Sequence, residues 1–385
     1  MELLEPASCH QPVAGDAAAL VLSRLPHPDT TAFVDAVTGE SLSFRALHRA
    51  ALSLASGLRL GLGLRRGDAV LVLSPNSLLL PQVILGVLAA GGVAVVTAAD
   101  ATAAEISAAA HGSGAVIVVA APEVAGKAAS VGVPLLLTSR SPDPRTLSAE
   151  ELIDGGDPTA LASPEVDLER PRPSDVAFVA YSSASKTVAM THADLIAAAA
   201  DAGLSDDGRV CLASLPMCSV HGLPLLALGL PAAGVTTVLA PPPSDPRATR
   251  DAVAAHGATD FVASPEAVAV LAAAMPQDGK LSSLRRVIVA PAPLAAEARL
   301  EFRRRLPWVE LTELHGTPED ETVPASEAPA QLGGPPVLTQ TDAAAVIQNN
   351  SQTADQIAVT RHKQLSQKQR RRLQLVIGEG EHKNI

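Results

Sequence analysis

Gly67–Val96 reads GDAVLVLSPNSLLLPQVILGVLAAGGVAVV and holds a complete strand, helix and strand. AVLVL is a continuous apolar strand, preceded by Asp68 and followed by the Pro75-Asn76 turn. LLLPQVILGVLAA has the length and composition of a buried helix, Gly91-Gly92 closes it, and VAVV is a second apolar strand. Strands with no polar alternation need cover on both faces. Strands of this kind separated by helices predict an α/β fold with parallel sheets.

The pattern extends in both directions. Upstream, SFRALHRAALSLASGLRLGLG (43–63) places Leu47, Ala51, Leu54 and Leu58 on one face of a helix that ends at glycines. Downstream, TAAEISAAAHGSGAVIVVAAPE (102–123) repeats helix, glycine and strand. From Ser141 to Ser174, Pro, Asp, Glu and Ser interrupt the periodicity and mark a connection. A second series begins with the strand SDVAFVAYSS and the helix THADLIAAAADAGL and runs through RVCLASLPM, VTTVLAPPP and LRRVIVAPAPL to AAEARLEFRRRLPWVEL. The expected organisation is a leader (1–25), a first α/β lobe (26–140), the connection (141–174), a second α/β lobe (175–324) and a tail (325–385). That tail is basic at its end and carries eight glutamines from Gln340 to Gln374. It has too little apolar surface to offset the entropy of ordering, so it is expected to be disordered or to form one short helix.

Composition narrows the function classes. The chain has 385 residues, 47% of them apolar, enough for substantial cores. A formal net charge of −11 argues against a nucleic-acid partner, because phosphate-backbone binding requires an excess of Lys and Arg. Cys9, Cys211 and Cys218 form neither a disulfide framework nor a zinc pattern. Apolar runs are broken by Gly or Pro before membrane-spanning length, so no membrane association is expected. With no secretory signal, and with KNI rather than a peroxisomal tripeptide at the end, the expected location is the cytoplasm. No G-x-S-x-G elbow, dinucleotide fingerprint or Walker motif occurs.

One stretch concentrates hydroxyls and a cation. Val179–Ile196, VAYSSASKTVAMTHADLI, contains the chain's single tyrosine, and its residues alone read as strand, hydroxyl-rich turn and helix with Thr191 as a possible N-cap. Together with the stretch 42–100, which is similar to the family's first lobe, and with LPMCSVHGL (215–223), VIVAPAPL (287–294) and ELHGTPE (313–319), it resembles the acyl-adenylate-forming enzymes, specifically the plant 4-coumarate:CoA ligase-like group, from about Pro26 to Glu319. Those enzymes carry patterns such as SSGTTGRSKGVMLTH, LPMFHVYGL, GAAPL and GYGMTE in the same order.

The resemblance implies an ATP-dependent carboxylate–CoA ligase that uses ATP, Mg²⁺ and CoA and acts on a small-molecule carboxylate, a hydroxycinnamic or fatty acid. It implies the two parallel-type α/β lobes of that family's N-terminal domain, with the family's C-terminal lid not recognisable after Glu319. Ser182, Ser183, Ala184, Ser185, Lys186 and Thr191 are then the remnant of a loop that holds ATP phosphates. His221, Ala290, Pro291, His315, Gly316, Thr317 and Pro318 line the substrate and adenylate pocket, and Glu319 takes the Mg²⁺-side position. The loop is about four residues short, and Ala184 and Thr187 stand where the pattern has glycine, which removes flexibility and converging backbone N–H donors from the cradle. Adenylation is therefore expected to be impaired or lost, with no catalytic residue assigned. A catalytically dead binding protein and a truncated translation product are the alternatives.

Overall fold

The computed structural model describes residues 16–23, 28–98, 100–143, 145–162, 170–181, 187–201, 208–241, 246–273, 279–314 and 337–338. In its first half the chain forms α1 (Ala17–Leu22), β1 (Thr31–Asp35), β2 (Ser41–Ser43), α2 (Phe44–Ser56), β3 (Ala69–Leu73), α3 (Leu79–Ala89), β4 (Val93–Thr97), α4 (Ala103–Ser113), β5 (Ile117–Ala120), α5 (Ala125–Ala128), β6 (Leu135–Leu137) and α6 (Ala149–Gly155). There follow β7 (Val176–Tyr181), β8 (Thr187–Thr191), α7 (His192–Asp201), β9 (Val210–Ala213), α8 (Leu230–Ala232), β10 (Thr236–Leu239), α9 (Pro246–His256), β11 (Asp260–Ala263), α10 (Pro265–Ala273), β12 (Arg286–Val289), α11 (Ala296–Arg305), β13 (Glu310–Glu313) and β14 (Val337–Leu338).

These strands make two seven-stranded sheets, one ordered β13-β12-β11-β9-β10-β1-β2 and the other β14-β8-β7-β4-β3-β5-β6. Pairing is parallel except for β1–β2, β7–β8 and β8–β14. The sheets do not follow the expected division of the chain. β1 and β2 come from the 26–140 segment yet join the sheet of the second series, and β7 and β8 come from 175–324 yet extend the sheet of the first. The physical reason is the length of apolar β3 and β4: β4 needs a neighbour on its open side, and β7 supplies it with the register Val95↔Val179.

The burial pattern explains the continuous apolar strands. Val70 and Val72 point into a central core shared with Phe33, Ala213, Val262 and Ile288 of the other sheet, while Ala69, Leu71 and Leu73 point outward against α4 and α5. On the far side, Leu212, Phe261, Val287 and Val289 pack against α9, α10 and α11. The result is five layers, with α1, α2, α3 and α7 between the sheets. Leu47, Ala51, Leu54 and Leu58 are all at most 1% exposed, as their spacing requires. The helix passes through Gly57, which is helical at φ −59°, and a wider-turned segment Gly57–Gly61 continues it until Gly63 takes φ +72°. Leu54 meets α3 so closely that a Cβ on Gly86 would sit 2.7 Å from its Cδ2.

Within the 141–174 connection, α6 is a regular helix. Ser148 and Glu151 cap it reciprocally, the S-x-x-E signature of a helix start. Val337 and Leu338 of the tail pair with Val188 and Thr187, so this short piece of 325–385 is strand; the remainder of the tail lies outside the described residues. No helix among the described residues is long and apolar enough to cross a membrane.

Candidate functional site

Parallel α/β sheets bind ligands beyond the carboxyl ends of their strands, where neighbouring strands send their connections in opposite directions. Each sheet here has one such point. In the first, β3 leads to β4 on one side while β5 on its other side leads away to β6. In the second, β9 leads to β10 while β11, on its other side, leads to β12. The loops that leave β3 and β9 meet: the Asn76 amide donates to the Leu215 carbonyl at 2.9 Å and accepts from the Met217 N–H at 2.8 Å.

Three of the sequence-derived segments leave carboxyl ends of the β9–β13 sheet. LPMCSVHGL follows β9, VAPAPL ends β12, and HGTPE follows β13. Ala292 N–H donates to the Leu314 carbonyl at 3.1 Å, so the turn containing Ala290 and Pro291 is tied to the residue before His315. Ala290 is buried and Pro291 exposed. Glu313 is held by both Arg299 Nε at 2.7 Å and Arg299 Nη2 at 2.8 Å, which keeps β13 and α11 together. His315, Gly316, Thr317, Pro318 and Glu319 lie outside the described residues, and among the described residues no cluster of three His, Cys, Asp or Glu could hold a metal ion.

The 214–222 loop is fixed from within as well. Ser219 Oγ donates to the Pro216 carbonyl at 2.7 Å and accepts from the Gly222 N–H at 2.9 Å. Gly222 has no room for a side chain, since a Cβ would lie 1.9 Å from the Pro216 oxygen. Ser219 is thus turned into the protein's own backbone, and Cys218 is buried, with desolvation pushing its thiol up to about 12. His221 is half-buried.

The phosphate-loop stretch is a hairpin, and β8 between the turn and α7 is a strand that the sequence reading did not separate. The ladder pairs Tyr181 with Thr187, so five residues, 182–186, connect the strands; their own placement lies outside the described residues. Thr191 does not belong with them. It pairs with Val176 at the opposite end of β7, about 13 Å from Thr187 at the usual rise of a strand. Its hydroxyl accepts from the Asp194 N–H at 3.1 Å and donates to the Asp194 carboxylate at 2.8 Å, which makes it the cap of α7 and removes it from the ATP-binding remnant.

Just after it, His192 is 1% exposed and its Nδ1 accepts the Ala17 N–H at 2.9 Å, so the ring anchors α1 in its neutral form. Desolvation holds its pKa below the ordinary value, opposed by the Asp16 and Asp175 carboxylates, with Arg66 reinforcing the depression. Asp175 is itself paired with Arg66 Nε at 2.7 Å and Nη2 at 2.8 Å. A sequence signal for α1 existed in Asp16 before an Ala/Leu/Val run, which is a helix start.

The sequence model of the AMP-binding enzyme family matches residues 24–375. The chain belongs to this family. Among its relatives, a rice 4-coumarate–CoA ligase-like 3 (Oryza sativa subsp. japonica) is 32% identical over 82% of this chain and 59% of the relative. An Arabidopsis thaliana 4-coumarate–CoA ligase-like 3 is 34% identical over 77% of this chain and 57% of the relative. The chain therefore spans somewhat under two thirds of the length of these AMP-binding relatives. Solved structures agree on the fold: a benzoate CoA ligase from Burkholderia xenovorans superposes with a TM-score of 0.67 at 25% identity, covering 78% of this chain and 61% of the ligase. An anthranilate CoA ligase in complex with anthranoyl-AMP gives 0.68 at 20% identity, covering 78% and 60%.

Proposed function

We propose that this AMP-binding chain is the adenylate-forming part of an ATP-dependent carboxylate–CoA ligase of hydroxycinnamic or fatty-acid type, and that its adenylation step is strongly impaired. In this reaction class a carboxylate oxygen attacks the α-phosphorus of ATP and pyrophosphate leaves; the CoA sulfur then attacks the acyl carbonyl and AMP leaves. Family membership and the arrangement of the LPMCSVHGL, VAPAPL and HGTPE segments at the carboxyl ends of one parallel sheet support the ligase reading.

The observation that carries the impairment is the Tyr181↔Thr187 pair. With both ends pinned side by side, a five-residue loop reaches at most about 8 Å from the sheet edge, whereas nine residues, as in SSGTTGRSK, reach about 15 Å. A shorter excursion leaves fewer backbone N–H groups to converge on a triphosphate, and Lys186 remains as a point charge without that cradle. Magnesium would arrive bound to ATP, with Glu319 as the carboxylate that resemblance assigns to it.

The test is pyrophosphate release with ATP·Mg²⁺, CoA and a panel of cinnamic and medium-chain acids. Release at the rate of an ordinary ligase of this class would refute the impairment. Acid binding by titration calorimetry without pyrophosphate release would support the second reading, a catalytically dead binding protein, which the short loop also favours.

A further inference from the structure

Asn76 is not among the site residues that the resemblance assigns, yet its amide makes two hydrogen bonds to backbone across 139 and 141 residues of sequence. It leaves the carboxyl end of β3, where the connections of the first sheet diverge. Its partners, Leu215 and Met217, leave the carboxyl end of β9, where those of the second sheet diverge. Met217 is fully buried, and the two strand ends are also brought together by Cys218, whose thiol has the Ser74 backbone amide as a hydrogen-bond donor. Beyond Met217 the loop closes through Ser219 and the cramped Gly222, so the backbone that carries Val220 and His221 is fixed at one end by Asn76 and at the other by Ser219.

We propose that Asn76 is a positioning residue for acid binding: by joining the two strand-end crevices it holds residues 214–222 in the conformation that presents His221 to the carboxylic acid. The inference rests on the ligase reading for the identity of the ligand, and on the Asn76 hydrogen bonds for its geometry. A rigid, preformed loop saves the ordering entropy that a loose one would lose on binding. A side chain that bonds both a carbonyl and an N–H cannot be replaced by Asp, which accepts only, or by Ala, which does neither.

The test compares the full-length wild type with Asn76→Ala and Asn76→Asp by hydrogen–deuterium exchange, thermal unfolding and calorimetric titration with 4-coumarate in the presence of AMP. Expected for Asn76→Ala is exchange about tenfold faster in peptides covering 214–222, unchanged exchange in 246–273, and acid affinity lowered about tenfold, the effect of losing two such bonds. Asn76→Asp, which keeps the Met217 bond, is expected between Ala and wild type. Unchanged exchange in 214–222, or acceleration spread evenly over the molecule, overturns the proposal. So does unfolding of both variants, which would make Asn76 a general framework residue. If the wild type binds no 4-coumarate, the acid reading fails by itself, and the exchange pattern still decides whether Asn76 orders the loop.

Discussion

Thr187 carries a hydroxyl into a fully buried position of the β7–β8 ladder, and its Oγ1 has no hydrogen-bond partner among the described residues. Its cross-strand neighbour Tyr181 is in the same condition, with burial pushing the phenol up to about 12. A buried hydroxyl without a partner costs roughly 1–3 kcal/mol, so Thr187→Val, which keeps the shape and the strand preference, should stabilise the protein by about 1 kcal/mol in thermal unfolding. His192 allows a pH test. Its folded pKa lies below the unfolded value near 6.5, so the unfolded chain binds more protons in the window below that pH. Stability is full above about pH 6.5 and falls as pH drops toward the depressed folded value. His192→Asn, which offers an acceptor to Ala17 without titrating, should show a flatter melting temperature between pH 7 and pH 5; an equal slope would exclude His192 as a source of the pH dependence.

Among the elements, the β7–β8 hairpin concentrates the functional question. Replacing residues 182–186 with SSGTTGRSK keeps the Tyr181↔Thr187 ladder and restores the reach of the loop. If loop length is what limits adenylation, pyrophosphate release should rise by at least about tenfold, since a single well-placed donor is worth about 10²–10³ in rate. An extension that folds and leaves the rate unchanged would move the cause elsewhere. The α7 cap is a separate matter: Thr191→Ala should cost about 1 kcal/mol of stability without altering nucleotide binding, because Thr191 sits at the far end of the hairpin. The residues alone offered the cap, whereas the resemblance grouped Thr191 with the loop. Val188, Ala189 and Met190 lie between Thr187 and Thr191, and the antiparallel return of β8 carries these two threonines to opposite ends of the hairpin.

For the whole molecule, the exchange of strands between the sheets has a thermodynamic consequence. β1 and β2 lie in one sheet while the helix that follows them packs in the central core, and that core holds Phe33 and Ile288 together with Val72 and Phe178. Neither half can keep its packing when the other opens. Far-ultraviolet circular dichroism and Trp308 fluorescence should report one coincident denaturant transition; two separated transitions would show independent halves.

Local sequence determined the helices and the central strands, because periodicity and uninterrupted apolar runs encode burial residue by residue, as in Leu47 to Leu58 and in β3. It also determined the family, through the likeness of the 42–100 stretch and the order of the short motifs that follow it. Short, ambiguous strands such as β1, β2 and β8 became strands only when neighbours supplied their hydrogen bonds, and sheet membership followed from which open edge each could reach. Tertiary structure alone decided that Asn76 meets Met217, since that depends on how distant segments are brought together, and the β7–β8 ladder fixed Thr191 at the end of the hairpin opposite Thr187.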